Sequence, residues 1–214
     1  MAIQPADVPA YVARVEESQR ALVGSLRDLR DADARQSSGL PGWTRAHLLT
    51  HIARNGDTLA EMMSGAMRGE VVPQYGGSRE QRDEDIAAGA GRSAAALVED
   101  VARSGERFRS AAGEMTPDAW RGTLVWLVAE LPATFALESR WREVEVHRVD
   151  LGIGYSPVDW PDEFVAANLP RELKRLERRA PGVERPDGLG DAETLAWLFG
   201  RPTPADLPAL PPWG

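Results

Sequence analysis

Residues 138–154 read ESRWREVEVHRVDLGIG, and the rest of the chain is best understood from them. Leu137, Trp141 and Val144 recur at helical spacing as an apolar stripe, and Gly152 supplies a C-terminal stop. On the same segment Glu143 and His147 stand four residues apart, with Asp150 three further on. Positions i and i+4 share a helix face, with Cβ atoms about 5–6 Å apart. A carboxylate and an imidazole so placed converge on one point and lack only a third group from elsewhere. The chain holds three histidines in all. The other two, His47 and His51, fall together on a second helical segment.

That segment, TRAHLLTHIARNGDTLAEMMSGAM, begins at Thr44, whose hydroxyl suits an N-cap. Leu48, Ile52, Leu59 and Met63 form its core stripe. His47, His51, Asn55, Thr58 and Met62 run alongside, and a polar line next to an apolar stripe is where a half-buried site in a bundle lies. Two further long helices are predicted. One runs from Val8 to Leu29, with Val8, Tyr11, Val12, Val15, Leu22, Leu26 and Leu29 on one face. The other runs from about Asp83 to Ala112, with Ile86, Leu97, Val101 and Phe108 in register, weakened by Gly89, Gly91 and Gly105. The opening segment, starting after Pro132 near Ala133 and ending near Asp150, is the fourth. Four long helices with a long third connection predict a mainly all-α four-helix bundle.

Between these, GEVVPQYGGSREQR reads as a loop, and Thr116-Pro117-Asp118 opens a short turn carrying Trp120. TLVWLVAELP fits a buried strand, a hairpin arm or an extended crossing segment. The expected organisation is a bundle over residues 1–154 and a small C-terminal region over 155–214. That region holds one helix from Asp162 to about Arg179, a Pro/Gly loop, and a last helix DAETLAWLFG capped by Asp191. A proline-rich tail follows, expected to lie extended and to be pinned by Trp213.

At 214 residues, with 43% hydrophobic and 27% charged residues, the composition is that of a soluble globular protein. A formal net charge of -8 without a basic block leaves out an electrostatic nucleic-acid footprint. No apolar run approaches the ~20 residues of a spanning helix, and MAIQPADVPAY lacks signal-peptide character. The expectation is a cytoplasmic protein with neither nucleic-acid nor membrane partners. There are no cysteines. A disulfide framework, a thiolate zinc site and a protein-borne thiol nucleophile all fall away together, so any sulfur chemistry arrives with a small molecule.

A lone helical histidine is ordinarily a hydrogen-bonded core or surface residue. The joint pattern points elsewhere, because two histidines and one carboxylate form the ligand set of catalytic zinc sites and of open non-haem iron sites. Spacing leaves both His47 and His51 open as the ligand, although His47 sits in the first turn and suits packing or capping. Asp150, in a last helical turn, opposes the macrodipole and therefore calls for a partner: the N–H of a metal ligand, a nearby arginine, or a cofactor. Asn55, one turn past His51, is a weaker candidate for substrate or thiol contact. Trp43 and Trp141 read as core.

LPGWTRAHLLTHIARN and SRWREVEVHRVDLG together resemble the mycothiol-dependent maleylpyruvate isomerase family of the DinB-like metal-binding superfamily. Tyr75 with RDEDI (residues 82–86), LAWLFGR and the closing LPALPPW resemble weaker family motifs. The resemblance implies a DinB-like bundle with zinc bound by His51, Glu143 and His147, mycothiol as the thiol cofactor, and a catalytic arginine at Arg201. It implies a reaction in which thiolate adds to the cis double bond of maleylpyruvate, the bond rotates, and elimination leaves the trans isomer. Arg201 and Arg82 then supply contacts to the carboxylates of the unsaturated substrate. The family's C-terminal domain carries strands where this chain has only a short Pro/Gly loop, so a reduced version of that domain is expected. Two rival readings remain: thiol transfer onto another electrophile, and a non-catalytic metal- or ligand-binding bundle in which His47 completes the coordination. A monomer or small homo-oligomer fits either.

Overall fold

The structure is a computed structural model and describes residues 3–201, 203 and 207–211. The expected anchor Trp213 lies outside the described residues. A short 3-10 turn, Pro5–Asp7, leads into α1 (Val8–Ser25), which ends one turn short of the predicted Leu29. A one-turn helix, α2 (Asp31–Ala34), precedes α3 (Arg45–Arg68). Thr44 caps α3 as expected, and its hydroxyl accepts from the His47 backbone N–H.

The predicted third helix is two helices. α4 (Arg79–Gly89) begins earlier than the expected Asp83 because Ser78 caps it, and α5 (Ala94–Glu114) restarts where Ser93 caps its first turn. The break falls at 90–93 and not at Gly105, which stays inside α5. A Cβ at Gly105 would lie 2.5 Å from Gln19 Cδ, so the glycine there admits the α1 side chain. A short α6 (Pro117–Trp120) starts at Thr116-Pro117 as predicted. The ambiguous TLVWLVAELP is a hairpin: β1 (Thr123–Val125) pairs antiparallel with β2 (Glu130–Pro132), Leu124 opposite Leu131. It delivers the chain into α7 (Phe135–Asp150).

α1, α3, α5 and α7 form the bundle, packing in a closed ring with α3 against α5 and α7, and α1 against α5 and α7. The predicted stripes are its core: Leu22, Leu26, Leu48, Ile52, Leu59, Met63, Leu97, Val101, Leu137, Trp141 and Val144 are all buried. At about 25 cal/mol per Å² of apolar surface removed from water, this interior is the main force holding the four helices together. Crosslinks tie the start of α3 to the end of α7. Arg45 donates from Nε to Leu151 O at 2.6 Å and from NH2 to Gly152 O at 3.0 Å, and Gly39 N donates to Asp150 O at 2.6 Å. The two histidine-bearing helices are therefore fixed to each other at one end.

Contacts divide the chain into two compact units, with the boundary at Ile153/Gly154. In the second unit α8 (Asp162–Arg179) and α9 (Asp191–Leu198) pack together, burying Phe164, Leu169, Leu176, Leu195 and Phe199, and no strand occurs there among the described residues. Trp197 Nε1 donates to Pro208 O at 2.9 Å, seating part of the tail on α9. Among the described residues no helix is long and apolar enough to cross a membrane.

Candidate metal centre

α3 presents His51 and α7 presents Glu143 and His147 to the same point. His51 Nε2 lies 2.8 Å from Glu143 Oε2 and 3.2 Å from His147 Nε2, and His147 Nε2 lies 3.2 Å from the same Glu143 oxygen. These atoms make a triangle. A tetrahedral ion with bonds of ~2.0–2.1 Å has ligand atoms about 3.3–3.4 Å apart, so the triangle already has nearly the size of one face of that tetrahedron. The imidazoles are largely buried, whereas the Glu143 side chain is 25% exposed, which leaves one side of the cluster approachable.

Asp150 stands behind His147. Its Oδ2 is 2.8 Å from His147 Nδ1, and the carboxylate is buried. An ionised carboxylate only accepts, so Nδ1 carries the proton and the Nε2 lone pair faces the triangle. The contact to His147 is one of the three partners considered for Asp150. Burial pulls the His147 imidazole down, but hydrogen bonds to Asp150 and Glu143 outweigh it and raise its pKa above the ordinary value. Burial lowers His51, against the pull of Glu143. Glu143 sits well below the usual carboxylate range, since the two imidazoles overcome the cost of its desolvation.

His47 is placed differently. Its Nδ1 lies 2.7 Å from Thr44 Oγ1 and accepts from Thr44 N at 3.3 Å, closing a capping box at the start of α3. Spacing left His47 and His51 both open; geometry brings only His51 to the cluster.

Arg82, from α4, reaches over the cluster. Its NH2 donates to His51 Nδ1 at 3.3 Å, and its guanidinium lies 5.8 Å from the ring centroids of both Trp43 and Tyr75. Trp43, expected as core, is half-buried against the bundle interior and also stands edge-on to His51 at 5.5 Å. Asn55 is buried and its Oδ1 accepts from Arg140 NH1 at 3.0 Å. Arg201 belongs to the second unit, where its NH1 bonds Phe199 O.

Two residues at the site escaped the sequence reading. Arg140 is fully buried, bonding Ile52 O at 2.7 Å and Gln19 Oε1 at 2.9 Å besides Asn55, and burial lowers its pKa to about 10. Its position one turn before Glu143, on the same face, was the available signal. Tyr75 appeared only within a motif; burial and Glu143 push its phenol up to about 12, against Asn55 and Arg82 at the phenol oxygen.

The model of the mycothiol maleylpyruvate isomerase N-terminal domain matches residues 15–152. The chain belongs to that family. The matched span runs from within α1 to just past the end of α7, and so contains most of the bundle and all of the cluster. Two crystal structures of a mycothiol-dependent maleylpyruvate isomerase, one of them a histidine-to-alanine mutant, share the fold. They give TM-scores of 0.86 and 0.87 at 25% and 24% identity, the mutant being the latter, and both comparisons cover 99% of this chain and 100% of the solved one. No curated protein sequence matches the chain significantly.

Proposed function

We propose that this chain is a divalent-metal-dependent, mycothiol-using isomerase that converts maleylpyruvate to its trans isomer. The observation that carries the reading is the triangle of His51 Nε2, Glu143 Oε2 and His147 Nε2, backed by Asp150, in a chain of this family without cysteine. The donor set fits the group: two imidazoles and one carboxylate suit zinc with a fourth position open. A divalent ion there supplies a Lewis-acid position at which a thiol is held as thiolate near neutral pH.

The chain's own residues supply the rest. Asp150 holds His147 in the tautomer whose Nε2 is free. Arg82 bonds His51 Nδ1 only in the tautomer that keeps the proton on Nε2. With Nε2 given to an ion, the proton sits on Nδ1 and Arg82 loses that acceptor. Its guanidinium then suits a substrate carboxylate, for which its planar fork is shaped. Trp43 and Tyr75 each stand 5.8 Å from it by ring centroid, and its NH1 is paired with Asp83 Oδ1 at 2.6 Å, which leaves NH2 for the substrate. Arg201 is assigned to the second carboxylate of the substrate on the family resemblance.

The test combines metal analysis of the purified protein with product analysis on maleylpyruvate plus mycothiol. One ion per chain, trans product and catalytic recovery of the thiol support the reading. A stable thioether adduct shows thiol transfer instead, and full activity after removal of the metal contradicts the assignment of the triangle.

A further inference from the structure

Tyr75 carries the sole positive φ, 50°, found outside glycine among the described residues. Holding an aromatic residue in the left-handed region costs about 1–3 kcal/mol, and such strain collects at functional positions. The surroundings fix it there: Tyr75 N donates to Thr58 Oγ1 on α3 at 2.8 Å, and Gly76 N closes the turn onto Pro73 O at 3.1 Å. The phenol consequently faces Asn55, Arg82 and the field of Glu143.

The neighbours of the phenol oxygen are both donors. Arg82 has no acceptor atom. The Asn55 amide is oriented by Arg140, whose NH1 donates to Asn55 Oδ1, so the NH2 end of that amide is the one turned toward Tyr75. Arg140 itself is locked by Ile52 O and Gln19 Oε1, and Gly56 on α3 gives it room, since a Cβ there would lie 3.1 Å from Arg140 NH2. Neither the Arg82 guanidinium, whose carbon lies 5.8 Å from the ring centroid, nor the NH2 end of Asn55 can accept the phenol's proton.

We propose that the Tyr75 hydroxyl is a catalytic hydrogen-bond donor to the substrate oxygen that gains negative charge as the thiolate adds, and that Arg140 positions it through Asn55. This inference rests on the thiol-addition reading above. In that step a C–S bond forms at one alkene carbon, and the π pair moves through the adjacent carbon onto the conjugated carbonyl oxygen. The former double bond is then single and rotates. Return of the electron pair re-forms the alkene as trans and breaks the C–S bond, so the thiolate leaves unchanged and no proton is consumed. In the metal-free fold, burial and Glu143 raise the phenol's pKa, which keeps the hydroxyl neutral and able to donate.

The experiment is Tyr75→Phe, which retains the ring over Arg82. The expected result is a fall in kcat of about 100-fold, the effect of removing one oxyanion donor, with KM within about threefold on the same scale. Metal content, mycothiol affinity and circular dichroism stay as in the wild type. A second readout uses the enolate of acetylpyruvate, which has no alkene to isomerise: by ultraviolet difference titration the wild type binds it about tenfold or more tighter than the variant. Asn55→Ala, with Tyr75 intact, lowers kcat by about tenfold at unchanged metal content. Wild-type kcat in Tyr75→Phe, or a loss of kcat that tracks lost metal or thiol, overturns the proposal, as does equal acetylpyruvate binding. A wild type without isomerase activity refutes the assigned reaction instead, and acetylpyruvate binding still decides the role of Tyr75.

Discussion

Replacing Asp150 with asparagine isolates what the carboxylate does for His147. The 2.8 Å contact to Nδ1 and the burial of the group make it a charge-assisted hydrogen bond shielded from water, roughly twice as strong as a neutral one. The amide of the variant keeps the shape and an acceptor oxygen but loses the charge that makes His147 a better ligand. Loss of such a partner typically costs 10–100-fold in metal affinity, about 1.4–2.8 kcal/mol. A second effect opposes it. Despite burial, Asp150 and Glu143 raise the His147 pKa, so protons compete with metal in the wild type as pH falls. D150N removes part of that competition. The affinity gap therefore approaches its full size at pH 8 and narrows at pH 6. Competition titration of zinc against a chelator of known affinity, at both pH values, measures it. Affinities within about threefold of each other at pH 8 would falsify the role of Asp150.

Four further outcomes follow from the same geometry. His51→Ala abolishes stoichiometric zinc, whereas His47→Ala retains it and lowers stability by about 0.5–1.5 kcal/mol through loss of the imidazole's bonds back to Thr44, read by urea unfolding of the two variants. Gly105→Ala forces Gln19 off its bonds to Arg140 and Val101 O and destabilises by about 1–3 kcal/mol. Gly24→Ala, in a helix with open space around it, stabilises by about 0.5–1 kcal/mol; if both changes act alike in thermal melts, the close approach of α1 and α5 is wrong. The metal-free protein has a pH dependence with two arms. His147, raised in the fold, contributes stability below its unfolded value of 6.5 that is lost as pH rises through its folded pKa. His51, lowered in the fold, contributes stability above 6.5 that is lost as pH falls. The cluster's contribution thus peaks near pH 6.5, and zinc removes the alkaline decline; melting temperatures that climb steadily to pH 8 without metal contradict it.

The helices that carry the site could be read from the sequence because local and long-range signals agree in them. Thr44 caps where the apolar stripe of α3 begins, and the same stripe is its buried face. α4 was placed late because Ile86 is its one buried residue, too little for a periodic pattern to show. The hairpin stayed ambiguous since a short apolar run has no period that separates strand from crossing segment. Within the site, three histidines and a carboxylate at i−4 were enough to choose the cluster, and the resemblance was needed to choose His51 over His47. Arg140 looks like one more surface charge in ESRWREVEV. Its burial depends on acceptors from α1 and α3 and on the missing Cβ of Gly56, none of which is local to it. Tyr75 was hidden for a similar reason, since its left-handed backbone is held by Thr58, seventeen residues earlier.

The central claim is that His51, Glu143 and His147 hold one ion with a position left for the sulfur of a thiol. X-ray absorption at the zinc edge, before and after mycothiol is added to the loaded protein, tests it directly. The account predicts a first shell of nitrogen and oxygen only, joined after addition by one sulfur at about 2.3 Å. A shell that stays free of sulfur at saturating mycothiol, or a protein that takes up no stoichiometric metal, contradicts it.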